Sequence, residues 1–328
     1  MRHGLLGCLL LLVSAAQAHE VRPAYLSLVA DEEGEVEMVW KLPVLDGRIM
    51  PLEPRLPAHC VVDDAPPDRI VTSDARLERV RFRCGEVGLR SGDVAIDGLA
   101  LTIMDVLVRV ERPGEDPVTR LLRPEQPTLA LDDAGSGLEI AAYLALGVEH
   151  ILLGFDHLAF VLGLVVLVRG RWLLVQTITA FTVAHSITLG LSTVGLARAS
   201  SAPVETVIAL SILLLALEIV GVARGRSSLV ARKPWLVAFG FGLLHGFGFA
   251  GALAELGLPE DAVPLALLLF NVGVELGQLL FVASVLLLAV CLRRAPALAR
   301  SAPMVAAYVI GVPAAYWSIE RLAGILFS

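Results

Sequence analysis

The stretch Gly147-Val148-Glu149-His150-Ile151-Leu152-Leu153-Gly154-Phe155-Asp156-His157 decides how this chain is read. It sets two histidines and two carboxylates inside an apolar run long enough to cross a bilayer. Ionisable side chains at that depth are costly, at least a few kcal/mol for a charged Asp, and are functional candidates by default. Residues seven apart lie within about 20° of each other around a helix, roughly two turns apart. His150 and His157 are therefore expected on one face, with Asp156 beside His157. A face of imidazole and carboxylate suits a divalent transition metal or a proton.

Working outward, hydrophobic runs of about 20 residues follow one another after Gly137, with short charged breaks between them. They are too long, too numerous and too free of charge for the core of a soluble domain. Most of the acid behind the net charge of -7 lies before residue 140. No basic patch with interleaved aromatics marks a nucleic-acid surface. No P-loop is present, which argues against an ATP-driven pump within this chain.

Residues 1–18 read as a secretory signal. Met1-Arg2-His3 is a basic start, Gly4 to Val13 is apolar, and Ala16-Gln17-Ala18 is a small-residue cleavage site. Leu5-Leu6-Gly7-Cys8 looks like a lipoprotein box but precedes most of the apolar core. Cleavage after Ala18 makes His19 the mature N-terminus, where an α-amine and an imidazole form a possible chelating pair beside Glu20. An exported segment meets an oxidising compartment. Cys60 and Cys84, alone between the signal and the first span, are expected to pair; two buried free thiols are the alternative.

Residues 19–135 read as one exported all-β domain. Runs at Ala24 to Val29, Glu35 to Leu42, Arg69 to Thr72, Leu77 to Cys84, Leu99 to Glu111 and Val118 to Leu122 are separated by turns such as Asp31-Glu32-Glu33-Gly34 and Arg112-Pro113-Gly114. This spacing predicts an antiparallel β-sandwich. Asp132 to Gly137 reads as the linker. Residues 136–328 then form a transmembrane domain of six helices, roughly 141–168, 172–194, 203–223, 235–257, 263–291 and 303–323.

Charge sets the orientation. Arg169 and Arg171 follow the first span; Arg224, Arg226, Arg232 and Lys233 follow the third; Arg293, Arg294 and Arg300 follow the fifth. The opposite loops carry Arg198, and Glu260 with Asp261. By the positive-inside rule the basic loops are cytoplasmic, which puts the β domain and the C-terminus on the periplasmic side of a bacterial inner membrane. Arg321 is read as a partner of Glu320 or as snorkelling to the interface. Glu205 is read as solvated, and Glu218 as a partner of Arg224.

Four histidines fall in spans: His150, His157, His185 and His245. Asn271, Glu275 and Gln278, four and then three apart, make one polar stripe on the fifth. The four histidines, Asp156 and Glu275 are the candidate metal set, with Glu149, Ser186, Asn271 and Gln278 as supporting polar residues. Any one intramembrane His, Asn or Gln is equally explained by a helix-to-helix hydrogen bond. Ser186, Thr182 and Thr188 read as local backbone bonders. Gly240, Gly242, Gly246, Gly248 and Gly251 read mostly as packing residues that let helices approach.

At these residues the chain resembles the HupE/UreJ family of bacterial membrane proteins, associated with nickel uptake for hydrogenase and urease. His150, Asp156 and His157 match the family's pattern of His, five residues, then Asp-His. Leu244-His245-Gly246 keeps the His-Gly of a second pattern, with Leu in place of Phe. Ala252 stands where that pattern's Glu would fall, and Glu275 is a candidate replacement from another helix. The exported domain places the chain with a longer branch of the family.

The leading reading is a secondary permease for a divalent transition metal, nickel favoured, with zinc or copper possible. Affinity alone does not select nickel, because copper binds such sites more tightly. The lack of Cys or Met clusters in the spans argues against a copper(I) route. Two alternatives stay open: an intramembrane zinc hydrolase, and a metal-binding or assembly module of the envelope. The inner halves of the spans are nearly all apolar, which weighs toward the hydrolase or toward a carrier seen in only one state. The partners implied are the metal ion and the lipid bilayer; no protein partner is indicated.

Overall fold

The computed structural model describes residues 23–45, 48–62, 67–72, 75–132, 140–197, 199–254, 263–292 and 294–327. The signal segment, His19, residues 133–137 of the linker, Arg198, Glu260, Asp261 and Arg293 lie outside the described residues. Two compact units part between Ala142 and Tyr143.

The first unit is β-rich. Its strands are β1 (Ala24–Ala30), β2 (Glu35–Leu45), β3 (Arg48–Ile49), β4 (Glu53–Arg55), β5 (Val61–Val62), β6 (Asp68–Val71), β7 (Ala75–Arg83), β8 (Asp93–Asp97), β9 (Val106–Glu111), β10 (Val118–Leu122) and β11 (Thr128–Ala130). An eight-stranded sheet runs β10-β9-β1-β2-β7-β5, with β3 added on β2 and β6 on β7; β11-β8-β4 form a second sheet. Along β2 the pleat buries Val36, Met38, Trp40 and Leu42 and turns Glu37 out. These side chains share one core with Leu26, Leu28 and Phe82 of the large sheet and Val94, Ile96 and Leu129 of the small one.

The turn at Asp31 forms for a local reason. Asp31 Oδ1 accepts from the backbone N–H of Glu33 and of Glu35, each at 2.9 Å, and Gly34 takes φ 80°. A disulfide joins Cys60 to Cys84. Arg112 ties three segments: it donates to Leu89 O (2.9 Å), Leu131 O (3.1 Å) and Glu115 (3.2 Å). With Arg90 also donating to it, Glu115 has its carboxyl held below the usual range.

Two expectations are corrected here. The sheet is not fully antiparallel, because β1 runs parallel to β9. Such a pair needs a long crossover, and the chain from residue 31 to 105 supplies it. The run Leu99 to Glu111 is not one strand: a 3-10 turn occupies Leu99–Leu101 and pairing starts at Val106. Gly98 explains the interruption, since at φ 86° its backbone comes so close to Pro51 O that a Cβ would lie 2.8 Å away.

The second unit is helical: α1 (Ile140–Leu153), α2 (Phe155–Leu167), α3 (Arg171–Thr193), α4 (Ser201–Ala223), the short α5 (Leu229–Arg232), α6 (Pro234–Ala254), α7 (Val263–Leu292) and α8 (Pro296–Phe327). Among the described residues four helices, α3, α4, α7 and α8, are long and apolar enough to cross a membrane. The expected first span, 141–168, is instead two helices, α1 and α2, bent by 73°. Within α6, Pro234–Gly248 counts as a shorter apolar helix. The expected last span begins earlier, so Arg300 lies within α8 rather than in a loop.

Glycines set the helix contacts, as expected for Gly242 and Gly246. A Cβ on Gly242 would lie 2.4 Å from Phe181 O, and one on Gly246 2.4 Å from His185 O, so α6 runs backbone to backbone with α3. Gly147 on α1 and Gly273 on α7 meet in the same way, a Cβ on the latter falling 2.2 Å from Leu144 O. Gly240 has open space. Behind these contacts, Phe160, Leu164, Ile178, Phe181, Ile212 and Ile310 build the core.

The surface charges also differ from expectation. Arg321 pairs with Glu205, Nε to Oε2 at 3.3 Å, and donates to Glu205 O at 2.9 Å. Glu205 is thus an ion-pair partner, while Glu320 accepts from Tyr316. Among the described residues Glu218 forms no ion pair with Arg224, and its Oε2 is buried without a hydrogen-bond partner.

Candidate metal centre

The break between α1 and α2 builds the centre. His150 closes the last turn of α1, and its carbonyl accepts from Gly154 N at 3.0 Å. Asp156 and His157 open α2. A Cβ on Gly154 would lie 2.7 Å from His150 O, 2.9 Å from His157 Nδ1 and 3.3 Å from Asp156 Oδ1. Glycine therefore lets the chain bend there with both histidines close. The rings of His150 and His157 stand 4.7 Å apart, edge to face. The expected proximity holds, but across two helix ends rather than along one face.

α3 and α6 bring the other two. Ligand atoms of His150, His157 and His185 all lie within 4.8 Å of one another, close enough to share one ion. His245 joins at its edge, its ring 5.1 Å from that of His157. All four are buried, at 8%, 5%, 0% and 1% exposure in chain order. Phe181 lies 6.2 Å from His185 and 5.0 Å from His245, and Phe270 lies 5.4 Å from His150. This aromatic wall keeps the local dielectric low, which strengthens charge interactions inside it.

Hydrogen bonds fix which ring nitrogen faces a ligand. The carbonyl of Phe241 can only accept, so the His245 Nδ1 that meets it at 2.9 Å carries the hydrogen. Asn271 spends its Nδ2 on Leu267 O at 2.8 Å, so its Oδ1 faces His185 Nδ1 at 3.4 Å. Among the described residues, Nε2 of His185 and of His245 is buried with no hydrogen-bond partner. Asp156 Oδ1 engages His157 twice, at Nδ1 (3.0 Å) and at the backbone N (2.8 Å). Oriented imidazoles of this kind, each held at Nδ1 by an acceptor, are what a metal site requires.

The remaining candidates separate. Asp156 orients His157. Glu275 lies outside the three-histidine group: its carboxylate accepts from Thr179 Oγ1 (2.6 Å) and Thr182 Oγ1 (2.5 Å). Thr182 Oγ1 also meets Gln278 Oε1 at 2.9 Å. Ser186 bonds the carbonyl of Thr182 at 2.6 Å, as a backbone bonder. Glu149 is half-buried on α1, also outside the three-histidine group. Thr182, expected as a backbone bonder, also meets Ile178 O at 3.3 Å, and with Thr179 it is a partner of Glu275 that the sequence does not announce. The available signal was the three-residue spacing of the threonines, matching that of Glu275 and Gln278 on α7.

A buried imidazole cluster that could hold a metal ion thus sits in a helical unit whose long apolar helices are those of a membrane protein. A family model described as HupE / UreJ protein matches residues 126–321. The chain belongs to the HupE/UreJ family, and the four buried histidines and every helix except the end of α8 lie within the matched segment. No curated protein matches the chain.

Proposed function

We propose that the protein is a secondary permease for a divalent transition metal, with nickel as the favoured cargo. The observation that carries this reading is the convergence of His150, His157 and His185 at the bend between α1 and α2. Broken helices whose ends surround a midplane site are a recurring device of secondary transporters. Neutral imidazole suits nickel, zinc and copper(II), and family membership favours nickel among them. In this reading α1 with α2 makes one bent crossing and α6 another, giving six in all. On the same reading the β unit and the C-terminus face the periplasm, with the basic loops on the cytoplasmic side in support.

His150, His157 and His185 hold the ion through imidazole nitrogen, and His245 completes the set. Asp156 holds the His157 ring and supplies negative charge beside the ion. The test is uptake of radiolabelled nickel by cells producing the chain. His157→Ala is expected to abolish uptake while folded protein stays in the membrane at wild-type levels. Wild-type uptake by that variant would remove the proposal.

A further inference from the structure

A polar cluster between α3 and α7 lies outside the three-histidine group. Glu275 on α7 accepts through Oε1 from Thr179 (2.6 Å) and through Oε2 from Thr182 (2.5 Å). Gln278 turns its Oε1 to Thr182 at 2.9 Å, and Ile178 O lies 3.3 Å from the same hydroxyl. Gln278 is fully buried, and its Nε2 has no hydrogen-bond partner among the described residues. Thr182 is 6% exposed, and Thr179 forms the open edge. The single hydrogen of the Thr182 hydroxyl thus faces three acceptor oxygens. Oxygens crowded together with more lone pairs than hydrogens are arranged as the shell of a hard cation is.

We propose that Glu275, Thr179, Thr182 and Gln278 form a second cation site, separate from the histidine centre and selective for a hard monovalent ion of sodium's class. Every ligand atom is oxygen, the preference of hard cations and not of nickel or zinc beside free imidazoles. The four side chains carry one negative charge. A monovalent cation neutralises it, whereas a divalent ion would leave a net charge in a medium where that is costly.

The two sites share their supports. Thr182 precedes His185 by three residues on α3, about 4.5 Å along the axis. Asn271, which meets His185, precedes Glu275 by four on α7. Filling the oxygen site draws α3 and α7 together through the same pair of helices that carries His185 and Asn271. Sodium binding then couples to the metal centre, and a sodium gradient drives the cargo. The coupling role rests on the permease reading; sodium binding itself does not.

The test is thermal unfolding of the purified full-length protein in detergent, in sodium chloride against N-methylglucamine chloride at equal ionic strength. Sodium is expected to raise the midpoint by about 2–4 °C in wild type. The rise should vanish in Glu275→Gln and shrink in Thr179→Val. Glu275→Gln should still bind nickel, which shows it folded and keeps the two sites distinct. Equal midpoints in the two salts, or an undiminished rise in Glu275→Gln, would overturn the proposal. So would a midpoint that follows pH but not sodium, which would make the cluster a proton site. A sodium effect without nickel binding in wild type would leave this site standing and remove the nickel reading instead.

Discussion

At the scale of single residues, the centre depends on which nitrogen each histidine presents. Asp156 fixes His157 by taking its Nδ1 at 3.0 Å. Asp156→Asn keeps an oxygen at that position but loses the negative charge and allows the amide to turn. Removing such an outer support costs about 10–100-fold in metal affinity. Isothermal titration with nickel is expected to show a loss in that range, with the histidines intact; an unchanged affinity would show that Asp156 has no part in orienting the ring. His150, Asp156 and His157 were legible from their spacing in one apolar run. The partners of Glu275 were not, because an exposed Thr179 and a buried Thr182 look like the backbone-bonding threonines found in many helices.

At the scale of elements, close helix contact carries the site, and glycine position decides it. A Cβ on Gly246 would lie 2.1 Å from Thr188 Oγ1 and 2.4 Å from His185 O. Gly246→Val must push α6 off α3, at about 1–3 kcal/mol or more for overpacking, and take His245 away from His157. Its thermal midpoint is expected to fall and its nickel affinity with it. Gly240→Ala, with nothing within 4 Å of its Cβ, is expected to match wild type or exceed it slightly, since alanine favours the helix. Equal behaviour of the two variants would contradict the packing described.

The glycine-rich face of α6 could be read as a packing surface from composition alone. The bend at Gly154 could not, because a glycine inside an apolar run leaves the hydrophobic pattern unbroken. Strand cores such as Glu35 to Leu42 and Val118 to Leu122 stood out as β-rich runs. β8 buries Val94, Ala95 and Ile96 in a row and so shows no alternation, and the two- and three-residue β3, β4, β5 and β11 are too short to show a period. The parallel pairing of β1 with β9 is a long-range fact that no local pattern encodes.

At the scale of the whole molecule, the two units answer to different forces. The β unit draws on its own core and on the Cys60–Cys84 disulfide. Cys60→Ser with Cys84→Ser is expected to destabilise that unit by about 2–5 kcal/mol. Limited proteolysis of membranes should then cleave the chain before residue 140 far faster than in wild type, with the helical unit left whole. The helical unit holds all four buried histidines, so a chain beginning at about Leu138 behind a signal segment is expected to retain nickel uptake. Lost uptake with normal insertion would make the β unit part of the transport path.

The central claim is that the buried histidines hold a passing metal rather than a resident catalytic one. Elemental mass spectrometry of the purified protein, beside the double variant His157→Ala and His245→Ala, tests it most directly. The account predicts little metal retained by wild type, reversible binding of nickel on titration, and loss of that binding in the double variant. Stoichiometric, tightly held zinc in wild type, absent from the variant, would contradict it and make the centre that of a zinc hydrolase.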